Sequence, residues 1–203
     1  MPTNLDLTYS RAQSHMFFDS TPLGKFRIFP KGRRLGATRG AAHACIEWML
    51  DGHACLWGDT IAGNIDRYVE RYFLPVLTKA GIPHRWTGTG RVLRVGSGHT
   101  DFRSADRPEN WEGFGYRHVF LNEAGIILED RYLYENAVLP MLLDFPDAEL
   151  IAAGTPKGRN LFYQLHQRAL SGEPGYHTRT FTTWDNPWLT PAAIATLTEG
   201  LPE

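Results

Sequence analysis

Lys31 opens the stretch K-G-R-R-L-G-A-T-R-G (31–40), which mixes cations, glycines and one hydroxyl. Lys31, Arg33, Arg34 and Arg39 carry positive charge, and Gly32 and Gly36 allow close approach of the backbone to a ligand. Leu35 and Ala37 are apolar, and Thr38 offers a hydroxyl suited to a metal shell. Such a set suits a polyphosphate, because successive backbone N–H groups and a helix N-terminus add partial positive charge to the side chains. A second set is Asn122-Glu123, directly after the apolar run H-V-F-L. A glutamate there can orient and deprotonate water. The Asn122 carbonyl can hold a water of a Mg²⁺ shell but supplies no charge. The third set is G-T-P-K-G-R-N (154–160), where Thr155 is positioned to sense a terminal phosphate.

These groups need rigid elements behind them. Residues 25–30, 54–58, 118–121 and 150–153 are short apolar runs that read as buried strands. Residues 8–20, 41–50, 64–80, 130–143 and 160–170 read as helices. Within 64–80, Ile65, Tyr68, Val69, Tyr72, Phe73, Val76 and Leu77 share one face, leaving Arg67, Glu70 and Arg71 on the other, and Pro75 predicts a kink. Residues 92–95 and 100–102 predict a hairpin through Gly96-Ser97-Gly98. Strands alternating with helices predict an α/β fold with a mainly parallel sheet covered on both faces. In such sheets ligands collect at the C-terminal ends of the strands, where all three sets fall. Residues 171–203, rich in Pro, Thr and Gly, read as an exit segment.

Composition limits the alternatives. The 203 residues are 42% hydrophobic and 12% aromatic, enough for one α/β domain with its own core. A net charge of −1 argues against a surface wrapped in nucleic acid, while leaving room for a local basic patch. Cys45 and Cys55 each stand alone in apolar surroundings and read as core thiols of a reducing compartment. His43 and His53 lack metal-ligand company, and Asp144, Asp147 and Glu149 read as a solvated turn. Trp48, Trp57, Trp86 and Trp111 read as core. The N-terminus has no basic-then-apolar leader pattern, and no apolar run suits a membrane span, so an intracellular, soluble protein is expected.

Strand, glycine-punctuated loop and helix in series match a P-loop, with Thr38 at its Mg²⁺-binding hydroxyl. The match to G-x-x-x-x-G-K-[ST] departs twice: Lys31 occupies the first glycine position, and Ala37 the lysine position. Taken in order, four passages resemble the ATPase domain of a tailed-phage large terminase across nearly the whole chain. They are G-R-R-L-G-A-T-R-G as a deviant Walker A and R-P-E-N-W-E-G-F-G-Y (107–116) running into V-F-L-N-E-A as Walker B. G-T-P-K-G-R-N-L-F-Y follows as the coupling motif, then F-T-T-W-D-N-P-W-L (181–189).

That resemblance implies a RecA-like (ASCE) P-loop NTPase, a three-layer sandwich, that binds ATP and Mg²⁺ and translocates double-stranded DNA into a procapsid. Gly32 to Thr38 would cradle the triphosphate, Thr38 and Asn122 would hold the metal, and Glu123 would be the general base. Gly154 and Thr155 would couple hydrolysis to motion, and Gln13, following Tyr9, resembles the glutamine that reads adenine. Lys31 or Arg33 would replace the lysine missing at Ala37, and Arg103, Arg107 and Arg131 are candidates for an arginine acting on a neighbouring subunit. The implied partners are DNA, a portal ring, a small terminase subunit and further copies of the chain in a ring, in the host cytoplasm and away from membranes. Residues 1–185 would form the ATPase domain, and 186–203 a C-terminal segment or the start of a linker to an absent nuclease domain, so no nuclease activity is expected. The alternatives are a catalytically weak or inactive nucleotide-binding ring module, or another P-loop enzyme such as a helicase.

Overall fold

The computed structural model describes residues 5–19, 24–111 and 114–198. The strands are β1 (Phe26–Pro30), β2 (Ala54–Asp59), β3 (His84–Thr87), β4 (Val92–Val95), β5 (Gly98–Ser104), β6 (His118–Asn122), β7 (Glu149–Gly154) and β8 (Tyr176–Thr178). They form an eight-stranded sheet among the described residues, in the order β3-β4-β5-β2-β6-β7-β1-β8. From β8 across to β5 every pairing is parallel, and β3 and β4 add an antiparallel edge. The helices are α1 (Arg11–Phe18), α2 (Ala37–Leu50), α3 (62–79), α4 (Ala124–Ile127), α5 (131–141), α6 (Leu161–Leu170) and α7 (Pro191–Thr198).

Alternation along each strand builds a core on both sides of the sheet. Phe29, Trp57, Phe120 and Ile151 point to one side and meet α1, α2 and α3. Ile28, Leu56, Leu121 and Leu150 point to the other and meet α4, α5 and α6. The result is the three-layer arrangement that the strand–helix alternation predicts. β1 and β6 are separated by β7, so the loop after β1 and the turn after β6 flank the end of β7.

Several boundaries differ from expectation. Helix α2 starts at Ala37 rather than at residue 41, so Thr38 and Arg39 lie in its first turn. The hairpin closes one residue earlier, with Val95 opposite Gly98. β3 carries one large apolar residue among four, and β8 is three residues long, so neither gives a strong apolar run. The stretch read as an exit segment holds β8 and α7, because β8 completes β1 and Ile194 is buried. Glu149 is the buried first residue of β7, paired with Arg27 and, at 2.8 Å, with His118; it is not part of a solvated turn.

In α3 the turn Val69–Phe73 is a π turn. The wide turn sits immediately before Pro75, which has no N–H to give the helix ladder. It rotates the helix face by part of a turn. Arg71, expected on the outer face, lines the central cavity with Tyr68 and Tyr72, its side chain lying one helical turn from Tyr68.

Candidate nucleotide-binding site

The loop between β1 and α2 follows from three local constraints. Pro30 ends β1, and the Lys31 N–H continues the ladder by donating to Gly154 O at 2.9 Å. Arg34 and Gly36 then adopt left-handed backbone, with φ of 62° and 89°. Gly36 does so freely, whereas Arg34 is strained there. Gly36 caps α2 with no side-chain acceptor, so the first N–H groups of the helix are left to a ligand.

The loop is held from two sides. Gln13 donates from Nε2 to Gly36 O at 2.8 Å, while its Oε1 accepts the Ser10 N–H at 2.8 Å in the capping box of α1. Its amide therefore ties α1 to the loop, and Gly40 leaves the room that Gln13 occupies. On the other side the chain after β8 folds back. Gly32 N donates to Phe181 O at 2.8 Å, Thr183 Oγ1 to Arg33 O at 2.8 Å, and Asn186 Nδ2 to Arg34 O at 2.6 Å. Arg39 lies over the Trp188 ring at 5.4 Å. The division expected after residue 185 falls inside this clamp.

A cavity of about 820 Å³ opens at the loop. Lys31, Arg33, Arg34, Leu35, Gly36, Ala37, Thr38 and Arg39 line it together with Gln13, Glu123 and Thr155. Gly32 lies behind, pressed against the Thr182–Thr183 backbone and lining the adjoining apolar groove. Among the described residues, six cations border the cavity (Lys31, Arg33, Arg34, Arg39, Arg71 and Lys157) against one carboxylate, Glu123. A chain of net charge −1 thus concentrates positive charge at one site, which selects for an anion.

Glu123 sits in the turn after β6 with φ of 58°, another left-handed non-glycine residue. The turn is forced by packing against the end of β7. A Cβ on Gly154 would stand 2.6 Å from Gly125 N, and one on Gly125 would overlap the Thr155 carbonyl. Asn160, the N-cap of α6, adds a bond from Nδ2 to Gly125 O at 2.6 Å. This geometry brings Glu123 Oε1 to 2.8 Å from Lys31 Nζ. The Lys31 side chain is 7% exposed and that of Glu123 34%, so the ammonium is withdrawn from water while the carboxylate stays open to the cavity.

Beside this pair, Thr38 Oγ1 donates to Asn122 Oδ1 at 3.3 Å. Asn122 Nδ2 donates in turn to Asp59 Oδ2 at 2.8 Å. Asp59 is fully buried at the end of β2, where Thr60 N donates to its Oδ1 at 2.8 Å and Trp57 Nε1 to its Oδ2 at 3.3 Å. Burial pushes its carboxyl above the usual range, opposed first by the Asn122 hydrogen bond. Burial likewise raises the Tyr68 phenol, helped by the Asp59 and Glu123 carboxylates.

A hydroxyl and an amide oxygen, side by side with a carboxylate behind them, form a donor set that fits a hydrated Mg²⁺, which prefers oxygen ligands and keeps several waters. The first shell from the protein is then neutral, and the negative charge lies one residue deeper.

The three sets read from the sequence meet at one cavity. Asp59, Arg71, Asn160, Asn186 and Trp188 were not assigned roles by sequence reading. Asp59 lies one residue past the expected strand end, and Arg71, expected on the outer face, is an exposed residue that borders the cavity. Asn186 and Trp188 stand within D-N-P-W, but nothing in that tetrapeptide indicates which loop it holds. Arg103 is bound to Asn110 O and Asp101, Arg131 to Glu135 and Gln164, and Arg107 is exposed; none of the three lines this cavity.

No protein-family model and no curated protein sequence matches the chain. Among solved structures, the large terminase ATPase domain of Thermus phage P74-26 is similar, with a TM-score of 0.80 and 19% identity over 98% of this chain and 91% of that one. The large terminase of thermophilic bacteriophage D6E gives 0.79 and 14% over 97% of this chain, which spans 51% of that protein's length. A D6E structure in complex with ATP-gamma-S gives 0.75 and 13%. The large terminase of bacteriophage HK97 gives 0.71 and 14% over 86% of this chain. With its mainly parallel sheet and its loop between β1 and α2, this chain has the P-loop NTPase fold of phage large terminase ATPase domains.

Proposed function

We propose that the chain is the ATP-hydrolysing motor domain of a viral DNA-packaging terminase. The observation that carries this reading is the position of Glu123, 2.8 Å from Lys31 at the mouth of the loop, where a base must stand to act on water beside a terminal phosphate. Lys31 replaces the lysine absent at Ala37, and its ammonium reaches the cavity from the start of the loop. Removing one preorganised cation from such a site costs about 3–4 kcal/mol of transition-state stabilisation, so its replacement decides whether the site is active.

In this reading the free N–H groups at the start of α2 and Arg33, Arg34 and Arg39 bind and orient the polyphosphate of ATP. Bound Mg²⁺ would neutralise charge on the phosphates; Thr38 and Asn122 are the residues that would hold it. Glu123 is partnered by Lys31 in the structure. A phosphate competing for the ammonium frees the carboxylate to accept a proton from water. Thr155, at the end of β7 beside Gly125, senses occupancy of the site, and the packed Gly154–Gly125 junction and Asn160 transmit it to α6. Gln13 spends one amide N–H on Gly36, and its second is directed to adenine in this proposal.

The partners that go with this role are double-stranded DNA, a portal ring, a small terminase subunit and further copies of the chain, in the host cytoplasm. Arg103, Arg107 or Arg131 would then serve a neighbouring site. Phosphate release from ATP, with and without double-stranded DNA and with no acceptor added, tests the proposal. DNA-stimulated, acceptor-independent release is expected. Release that needs an acceptor, or none with Mg²⁺ and DNA present, would refute it.

A further inference from the structure

We infer that Asp59 supplies the negative charge missing at Asn122 and sets the Asn122 amide so that its oxygen faces the metal side of the site. The inference rests on the nucleotide-binding function proposed above and assigns a positioning residue to it.

A side-chain amide has two orientations, and its partners decide between them. Asn122 is fully buried, so water cannot compensate a wrong choice. Its neighbours are Thr38 Oγ1 on one side and Asp59 Oδ2 on the other. In the observed orientation the Nδ2 group donates to the carboxylate at 2.8 Å and Oδ1 accepts from the hydroxyl at 3.3 Å. Rotated by half a turn, Oδ1 would face the Asp59 carboxylate, acceptor against acceptor. Asp59 thus locks the amide, and the oxygen it leaves free points at Thr38.

The surroundings of Asp59 keep it an acceptor. Thr60 N–H, Trp57 Nε1 and Asn122 Nδ2 all donate to it, with the Thr60 hydroxyl and Asn64 Nδ2 at 3.3 and 3.5 Å. No cation pairs with it in this network. Neutral donors satisfy this carboxylate, and no ion pair among the described residues competes with a cation placed beyond them. The register explains how it arrives there. β2 and β6 are parallel neighbours with Gly58 opposite Leu121, so the next residue of each strand, Asp59 and Asn122, come side by side at the strand ends.

The test is a charge swap read by binding. Asp59→Asn, Asn122→Asp and the double variant of the full chain are compared with wild type by calorimetric titration with ATP-gamma-S, in Mg²⁺ and in EDTA. The quantity read is the ratio of the two affinities. Wild type is expected to gain from Mg²⁺, Asp59→Asn to lose roughly tenfold of that gain, and the double variant, which moves the charge one residue over, to recover most of it. A purely structural Asp59 would lower melting temperature without changing the ratio, and relocating the charge would not rescue it. If Asp59→Asn fails to fold, the double variant carries the test, since its Mg²⁺ ratio must still approach that of wild type. A full Mg²⁺ gain in Asp59→Asn, or no recovery in the double variant, overturns this inference alone. No Mg²⁺ gain in folded wild type overturns it together with the proposed function.

Discussion

The ammonium of Lys31 and the carboxylate of Glu123 lie 2.8 Å apart although 92 residues separate them in the chain. β7 inserts between β1 and β6 and sets the spacing of their C-terminal ends, and the left-handed turn at Glu123 brings its side chain back across that gap. The pair joins the two halves of the site: one residue argued to bind phosphate, and one argued to activate water. Removing Lys31 therefore also leaves the Glu123 carboxylate without its partner.

Replacing Lys31 is expected to be more damaging than its place outside the usual lysine position suggests. Lys31→Ala should lower kcat/KM for ATP by about 100- to 1000-fold, the cost of one preorganised donor. Lys31→Arg should retain part of the activity. Steady-state phosphate release at several ATP concentrations checks this. A Lys31→Ala enzyme close to wild type would move the role to Arg33.

Asn186 should behave as part of the loop. Its bond to Arg34 O holds a residue at φ of 62°, and the side chain is 8% exposed. Asn186→Ala leaves that carbonyl without its partner, and stability should fall by about 1 kcal/mol. ATP-gamma-S affinity should weaken several-fold as Arg34 relaxes. Denaturant melts and titration calorimetry read the two effects, and unchanged affinity would separate the clamp from the site.

The contact between Gly154 and Gly125 gives a different expectation. In Gly154→Ala the new methyl meets Gly125 N at 2.6 Å and Ala124 N at 2.8 Å, both backbone atoms of the turn that aims Glu123. The turn must shift. Overpacking of this kind costs about 1–3 kcal/mol, and kcat should fall further than nucleotide affinity. Comparing single-turnover rates with binding resolves the two, and equal losses would point to general destabilisation.

His43, on α2 against the Tyr9 ring, gives a pH signature of stability. Burial, and then the nearby Arg39 charge, push its pKa from 6.5 down to about 4. Above pH 6.5 the imidazole is neutral in both folded and unfolded chains and contributes no slope. Between about 6.5 and 4 the unfolded chain binds a proton that the folded chain refuses, so stability falls as pH falls, by on the order of 3 kcal/mol over the window. His43→Gln should flatten that part of the profile in denaturant melts measured from pH 4 to 7. An unchanged slope would assign it to other groups.

Much of this was legible in the sequence, for identifiable reasons. Strands β1, β2, β6 and β7 are apolar on both faces, and a run such as V-F-L or L-I-A-A has little alternative to a buried parallel strand. Glycines and cations at 31–40 mark the loop, because close backbone approach and positive charge are composition-level requirements. Residues recruited across the sheet were not legible. Asp59 matters because β2 lies beside β6, and strand order is not written in either strand. Arg71 reaches the cavity as a long, exposed side chain one helical turn from Tyr68, and an apolar-face pattern does not register where a long polar side chain extends. Asn186 acts through a backbone carbonyl 152 residues away. The Gln13 side chain, which the resemblance directs to adenine, is also a tie between α1 and Gly36, a role that only the packing of α1 on α2 discloses.

The central claim is that Glu123 activates water at a terminal phosphate bound by the loop, and hydrolysis by Glu123→Gln tests it most directly. The amide keeps the size of the side chain but cannot take a proton. A steady-state ATPase rate at least about 100-fold below wild type, with ATP-gamma-S affinity within a few-fold, is the predicted result. A Glu123→Gln variant that binds nucleotide and hydrolyses ATP at the wild-type rate would contradict the account.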